Sequence, residues 1–297
     1  MKRNDLSRRE FGQRIIAAGA AIGAGSVLAV GCGKKEQKKE AAAEACQTPV
    51  AVQLYTLRDL MKKDFRGTIE KVAQIGYDAV EFAGYGGLSA QEVKKLLDDL
   101  GLLCAGTHEG FGGLEKNTEE RIEFNLAIGN KYIVCPSMPG PWRKKGVDGI
   151  KAFGEKMNEI GAKIKKAGMQ LAYHNHSFEF GQADGKTIME YLLQSTDPDL
   201  VKLEVDVYWV KRGDVDPATF LKEHPERVRM LHMKDMADDK EHSFAPVGTG
   251  ILDMKGIVAA ARQIGVVWFI VEQDRTKRPV LEAIEISLKN MRELLKA

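Results

Sequence analysis

Eight times between Pro49 and the C-terminus, a short β-rich run gives way to a stretch with apolar residues at three- and four-residue spacing. The β-rich runs cover residues 50–55, 79–82, 102–107, 132–136, 170–174, 201–207, 228–232 and 268–272. Helical patterns fill the intervals at 90–100, 118–128, 149–167, 188–194, 217–223, 255–264 and 280–295. Gly76, Gly101, Gly129, Gly168 and Gly265 stand where helices should stop, and Asp216 followed by Pro217 suits a helix start. Eight such units in roughly 250 residues predict a closed (β/α)8 TIM barrel. A doubly wound open sheet usually has fewer strands and a Gly-x-Gly-x-x-Gly first turn, and none follows the first run here.

What precedes the barrel reads as an address. Residues 1–14 are basic and residues 15–30 are apolar but rich in Ala and Gly, a stretch shorter than the roughly 20 residues a spanning helix needs. Ser7-Arg8-Arg9-Glu10-Phe11 resembles the twin-arginine motif read by the folded-protein exporter of bacteria. Ala29-Val30-Gly31-Cys32 resembles a lipoprotein box, although Ala29 stands where Leu is commonest. The charged, Ala-rich segment that follows lacks apolar periodicity and suits a tether. The expected organisation is an export signal over 1–31, a tether over 32–48 and one TIM barrel over 49–297. The protein is expected in the periplasm or cell envelope, with the exporter as partner and membrane contact only through a lipid on Cys32.

Charge excludes one class of partner. Residues 1–31 hold five bases and two acids, which leaves 39 bases against 40 acids in the rest. A body that neutral lacks the footprint of a nucleic-acid binder. Four cysteines are too few for a disulfide scaffold, and Cys104 and Cys135 fall inside strand runs, as buried thiols would.

In a TIM barrel, chemistry sits at the C-terminal ends of the strands and in the loops beyond. Those ends carry Gln53, Glu81, His108, the run Tyr173 to Phe180 (YHNHSFEF), Glu204-Val205-Asp206, His232-Met233-Lys234-Asp235 and Glu272-Gln273-Asp274. Residues two apart share a strand face. Asp206, His232 and Glu272 can therefore all face the barrel axis, as a set of mixed oxygen and nitrogen ligands for one Mn, Mg, Co or Zn ion.

The run Leu203 to Asp206, His232 to Asp235, the Gly248-Thr249-Gly250 loop and Val271-Glu272 resemble the xylose-isomerase-like TIM barrels. That family includes sugar phosphate isomerases/epimerases, ketose 3-epimerases, inosose dehydratase and endonuclease IV, and the resemblance spans residues 50–295. It implies one divalent ion held by Glu, Asp, His and Glu from strands five to eight, three of which match as Asp206, His232 and Glu272. The strand-five position departs from the pattern. Tyr173-His174-Asn175-His176 stands there, so the fourth ligand is expected at His174, with Glu179 as the alternative. The His-x-His form is closer to inosose dehydratase and to lyases of 3-keto-glycosides.

The implied reaction on a small carbohydrate removes a proton beside a carbonyl, which a divalent ion acidifies as a Lewis acid. Imidazole is the natural base near neutral pH, so His176 is the expected base or acid, with Glu179 as alternative or partner. Glu272 is expected to share in proton transfer, and Lys234 to steady a developing oxyanion unless it only pairs with Asp235 or another carboxylate. Gln53, Glu81, His108 and Trp209 are expected to bind substrate, with Tyr55, Trp142, Phe178 and Tyr208 as further aromatic faces. The Gly248-Thr249-Gly250 loop reads as a cover over the substrate. The competing reading is a sugar-binding lipoprotein without catalysis, which has no need of the Asp206, His232 and Glu272 triad.

Overall fold

The strand runs pair as parallel neighbours in chain order and close on themselves. A computed structural model describes residues 48–296 of the protein. The expected signal, the tether up to residue 47, Cys32 and Cys46 lie outside the described residues. The barrel strands are β1 (Val50–Gln53), β2 (Ala79–Phe82), β3 (Leu103–His108), β4 (Tyr132–Cys135), β5 (Gln170–His174), β6 (Val201–Asp206), β7 (Val228–Met233) and β8 (Trp268–Val271). Their order is sequential, and β1 pairs with both β2 and β8, so the barrel is complete. This is the TIM barrel that the alternation implied.

The outer ring is α1 (Phe65–Ile75), α2 (Ala90–Leu100), α3 (Phe111–Ala127), α4 (Gly146–Lys166), α5 (Ile188–Ser195), α6 (Pro217–Glu223), α7 (Met254–Gln263) and α8 (Val280–Leu294). Five of the eight start on a side-chain cap. Ser89 with Glu92 and Thr187 with Glu190 form capping boxes, while Asp64, Asp216 and Asp253 each accept an amide of the first turn. Gly76, Gly101, Gly129, Gly168 and Gly265 all take positive φ, which a glycine reaches without strain. Two elements differ from the sequence reading. Helix α1 has no counterpart in it, and α3 begins seven residues before 118 and kinks at Asn117. Gly67 in α1, and Gly112 and Gly113 in α3, dilute the helical signal.

Two apolar layers carry the fold. One lies between the strands and the helices and takes in Val50, Val52, Val80, Phe82, Tyr173 and Phe269. The other fills the lower barrel with Ala51, Ala79, Ala105, Val134, Ala172, Met230, Trp268 and Ile270. Strand alternation then fixes the layer above. Gln53, Glu81, His174, His232 and Glu272 each follow one of these inward residues by two positions, so they share its face at the C-terminal end. The polar cluster is thus the top layer of the barrel's own filling.

Candidate metal centre and active site

A carboxylate sits at the middle of that layer with imidazoles around it. Glu204 Oε2 lies 2.7 Å from His108 Nε2, 3.1 Å from His174 Nδ1 and 3.1 Å from His232 Nε2. Glu81 Oε2 approaches His232 Nε2 at 2.7 Å and also accepts from Gln53 Nε2 at 2.8 Å. These contacts occupy one nitrogen of each key imidazole and turn the other upward. His232 Nδ1 then lies 2.8 Å from Glu272 Oε2, and His174 Nε2 lies 3.9 Å from Asp206 Oδ2.

The upper set fits a divalent ion. His174, Asp206, His232 and Glu272 are all buried, and each offers a ligand atom within 4.8 Å of the others. Ligands about 2.0–2.2 Å from an ion stand roughly 3–4.4 Å apart in tetrahedral or octahedral arrangements. Asp206 Oδ2 and His174 Nε2 face each other at 3.9 Å, too far for a hydrogen bond and within the spacing of two ligands on one ion. A second set of four, His108, His174, Glu204 and His232, lies alongside. Its nitrogens are the ones already tied to carboxylates, so Glu204 and Glu81 act there as supports that fix the tautomer and direction of the ligating rings. Burial lowers the His174 pKa well below its usual value, with His232 adding to the effect, so His174 presents the neutral ring that ligation needs.

Several expected roles change once the atoms are placed. Gln53 is fully buried, with its carbonyl oxygen accepting from Tyr55 N at 2.9 Å and its amide spent on Glu81, so it has nothing left for a substrate. Glu81 is likewise below the ligand layer, and burial, then Glu204, raises its carboxyl to about 7. His108 stacks on His232 with ring centres 5.3 Å apart and is spent on Glu204, so it is another support. Room for Glu81 comes from Gly106, where a Cβ would stand 2.6 Å from Glu81 Oε1. Glu179 lies outside both ligand sets. Its oxygens accept from Tyr173 Oη at 2.6 Å and from His176 N at 2.8 Å, and burial lifts its pKa to about 8. Fully enclosed, it holds the strand-five loop and does not reach a ligand space.

Lys234 pairs with Asp206 Oδ2 at 2.9 Å, Glu272 Oε2 at 2.7 Å and Asp274 Oδ2 at 2.8 Å, and not with Asp235. Asp235 instead accepts the amides of Met236, Gly248, Gly250 and Leu252. The Gly248-Thr249-Gly250 loop is therefore pinned to the barrel, and its glycine amides are not free to cradle a phosphate.

At the mouth, His176 is partly exposed, and its buried Nδ1 has no partner. Burial lowers its pKa to about 4, with Lys234 contributing, so the ring is neutral across the physiological range. Trp209 stands 5.6 Å from the His176 ring and 5.5 Å from Lys234 Nζ, and the Phe178 ring lies nearly parallel to His176 with centres 6.1 Å apart. Trp209 and Phe178 thus border the ligand space. Trp142 packs on Phe111 and Phe153, Tyr208 is buried with its hydroxyl on His242 O, and Tyr55 lies exposed under Arg58. Two functional residues escaped the sequence reading as site members, Glu204 and Asp274. Both shared a face with an assigned ligand, and that was the available signal.

Residues 69–294 match the xylose isomerase-like TIM barrel. An inosose dehydratase from Lacticaseibacillus casei is 28% identical over 247 residues, covering 71% of this chain and 82% of the relative. A solved sugar phosphate isomerase/epimerase from Parabacteroides distasonis superposes with a TM-score of 0.73 at 26% identity, covering 84% of this chain and 96% of that one. The solved IOLI protein with a bound zinc atom gives a TM-score of 0.66 at 16% identity, over 84% of this chain and 98% of that one, a likeness of fold.

Proposed function

This chain belongs to the xylose isomerase-like TIM barrel family, and from that premise we propose that it is a divalent-metal-dependent keto-sugar lyase or dehydratase. His174, Asp206, His232 and Glu272 would hold the ion, which would supply the Lewis acidity that makes the proton beside a ketone removable. His176 takes that proton. The electron pair becomes a carbon–carbon double bond, the bond to the oxygen two carbons from the ketone breaks, and the His176 imidazolium returns a proton to the departing oxygen. Lys234 neutralises charge beside the ligand carboxylates, and Trp209 offers a face for the sugar ring.

One observation carries the choice of elimination over epimerisation. An epimerase needs an acid/base group on each side of one carbon. On strand five the imidazole of His174 stands in the ligand set, and Glu179 is enclosed by Tyr173 and the His176 amide. His176 is the partly exposed base that this side offers. His176→Ala should lower turnover by on the order of a hundredfold or more with metal content unchanged. In D₂O, C3-epimer interconversion of a free ketose with deuterium gain, and no eliminated product from any 3-keto-glycoside, would favour an epimerase instead.

The proposed setting is the cell envelope, which rests on Arg8, Arg9 and Cys32. Replacing both arginines by Lys should hold the precursor in the cytoplasm, and Cys32→Ser should free the protein from membranes. Normal secretion of the first variant, or membrane retention of the second, would reject the corresponding half.

A further inference from the structure

Beside the mouth of the barrel a groove of about 360 Å³ is lined by Gly140, Arg143, Lys144, Phe178 and Ile188. A space of that order holds one ring-sized group. Its floor is shared with the active site. The Phe178 ring stacks on His176 at an interplanar angle of 18°, and the Arg143 guanidinium lies 4.0 Å above the centre of the same Phe178 ring. Phe178 thus touches both the groove and His176.

The charge of the groove has no internal answer. Arg143 and Lys144 are exposed, and among the described residues neither forms an ion pair. Lys156 and Lys163 on α4 by contrast do, with Glu159 and Glu119. The acid that feels Arg143 is Glu179, which is enclosed on the far side of the loop and has its pKa raised to about 8. The guanidinium itself covers this face of Phe178, so what the groove presents is two unpaired cations, Arg143 and Lys144, which is complementary to an oxyanion.

We propose that this groove is a second subsite, which takes an oxyanion-bearing ring, carboxylate or sulfate, linked to the keto-sugar that lies at His176. The His176 and Phe178 ring centres are 6.1 Å apart and the guanidinium lies over Phe178, so a unit in the groove neighbours the sugar at His176. The substrate is therefore a glycoside or disaccharide with an acidic second unit, and a free monosaccharide leaves the groove empty. This rests on the keto-sugar reading only for what lies at His176.

Calorimetry on the metal-loaded protein tests it with three unreactive probes: phenyl, 4-carboxyphenyl and 4-sulfophenyl β-glucosides. One or both acidic probes should bind about tenfold or more tightly than the phenyl glucoside, a usual size for a charge-assisted contact. The difference between the two acids tells carboxylate from sulfate. Arg143→Met with Lys144→Met should abolish the preference while leaving phenyl glucoside affinity unchanged, because Met keeps the packing on Phe178. Arg143→Lys alone should retain part of it. Equal affinity for all three, a preference that survives in the double variant, or no binding by any probe would overturn the subsite. Turnover of neutral phenyl 3-keto-glucoside separates the two claims. Turnover without acid preference removes the subsite alone, and acid preference without turnover removes the lyase reading alone.

Discussion

Lys234 is a fully buried ammonium whose three carboxylate neighbours include two members of the proposed ligand set, Asp206 and Glu272. Without an ion, it is the counter-charge that lets Asp206 and Glu272 lie close together out of water. With a divalent ion present, the same ammonium is a like charge beside the site, and Asp274 is the partner left to it. Lys234→Met should therefore act in opposite directions on two measurements. The ion-free protein should lose stability by about 3–5 kcal/mol, as buried pairs do when one partner goes. Metal affinity, read by competition with a chelator, should rise by about tenfold as the repulsion disappears. A fall in metal affinity would mean that the lysine arranges the ligands and does not compete with the ion. Asp274 and Glu204 show why the site read from sequence was incomplete. A two-residue period puts Glu204 on the face of Asp206 and Asp274 on the face of Glu272, but it carries no depth. Depth comes from the stagger between strands, including the register shifts between Leu203 and Glu204 and between Val80 and Glu81.

The element that most shapes the chemistry is the turn from β5 through Phe178 to Phe180. Glu179 closes it by accepting from Tyr173 and from the His176 amide, and so directs the His176 ring to the mouth. Its pKa is raised from 4.5 to about 8 by burial, so the folded state binds the proton more tightly than the unfolded chain. That contribution to stability is complete below about pH 4.5, declines as pH rises toward 8 and is gone above it. Glu179→Gln imitates the protonated carboxyl without the titration. Denaturant unfolding at pH 5.5 and 8.5 should show wild type losing stability relative to the variant by a few kcal/mol at the higher pH. A gap independent of pH would mean that the carboxyl is already ionised in the fold. At this scale the sequence spoke unevenly. Helix α2 and strand β5 follow directly from apolar spacing, whereas the β5 turn is a contact between Tyr173 and a residue six positions on, which no periodicity encodes.

The whole barrel was legible because its count of eight survives errors at the edges of any one element. A missed α1 or a late start to α3 leaves the order of strands unchanged, and order places every strand end on one rim. That rim ties four successive elements together at the ligand set. His174 ends β5, Asp206 ends β6, His232 lies in β7 and Glu272 follows β8. An ion bound there holds half of the barrel's circumference by its top edge, while the apolar layer of Ala51, Ala172, Met230 and Ile270 holds it from below. Chelation should then be felt by the whole molecule as well as by the site. At free metal about a hundredfold above Kd, binding adds about 2.7 kcal/mol to stability. For a domain of this size that is a Tm difference of roughly 5–11 °C between metal-loaded and chelator-treated protein. Asp206→Ala, which removes one ligand from the rim and nothing from the apolar layers, should keep the far-ultraviolet circular dichroism of the barrel and lose most of the metal-dependent rise. Calorimetric scans with and without chelator decide it. A full shift retained in Asp206→Ala would place the stabilising ion elsewhere, with the His108, His174, Glu204 and His232 set as the next position to test.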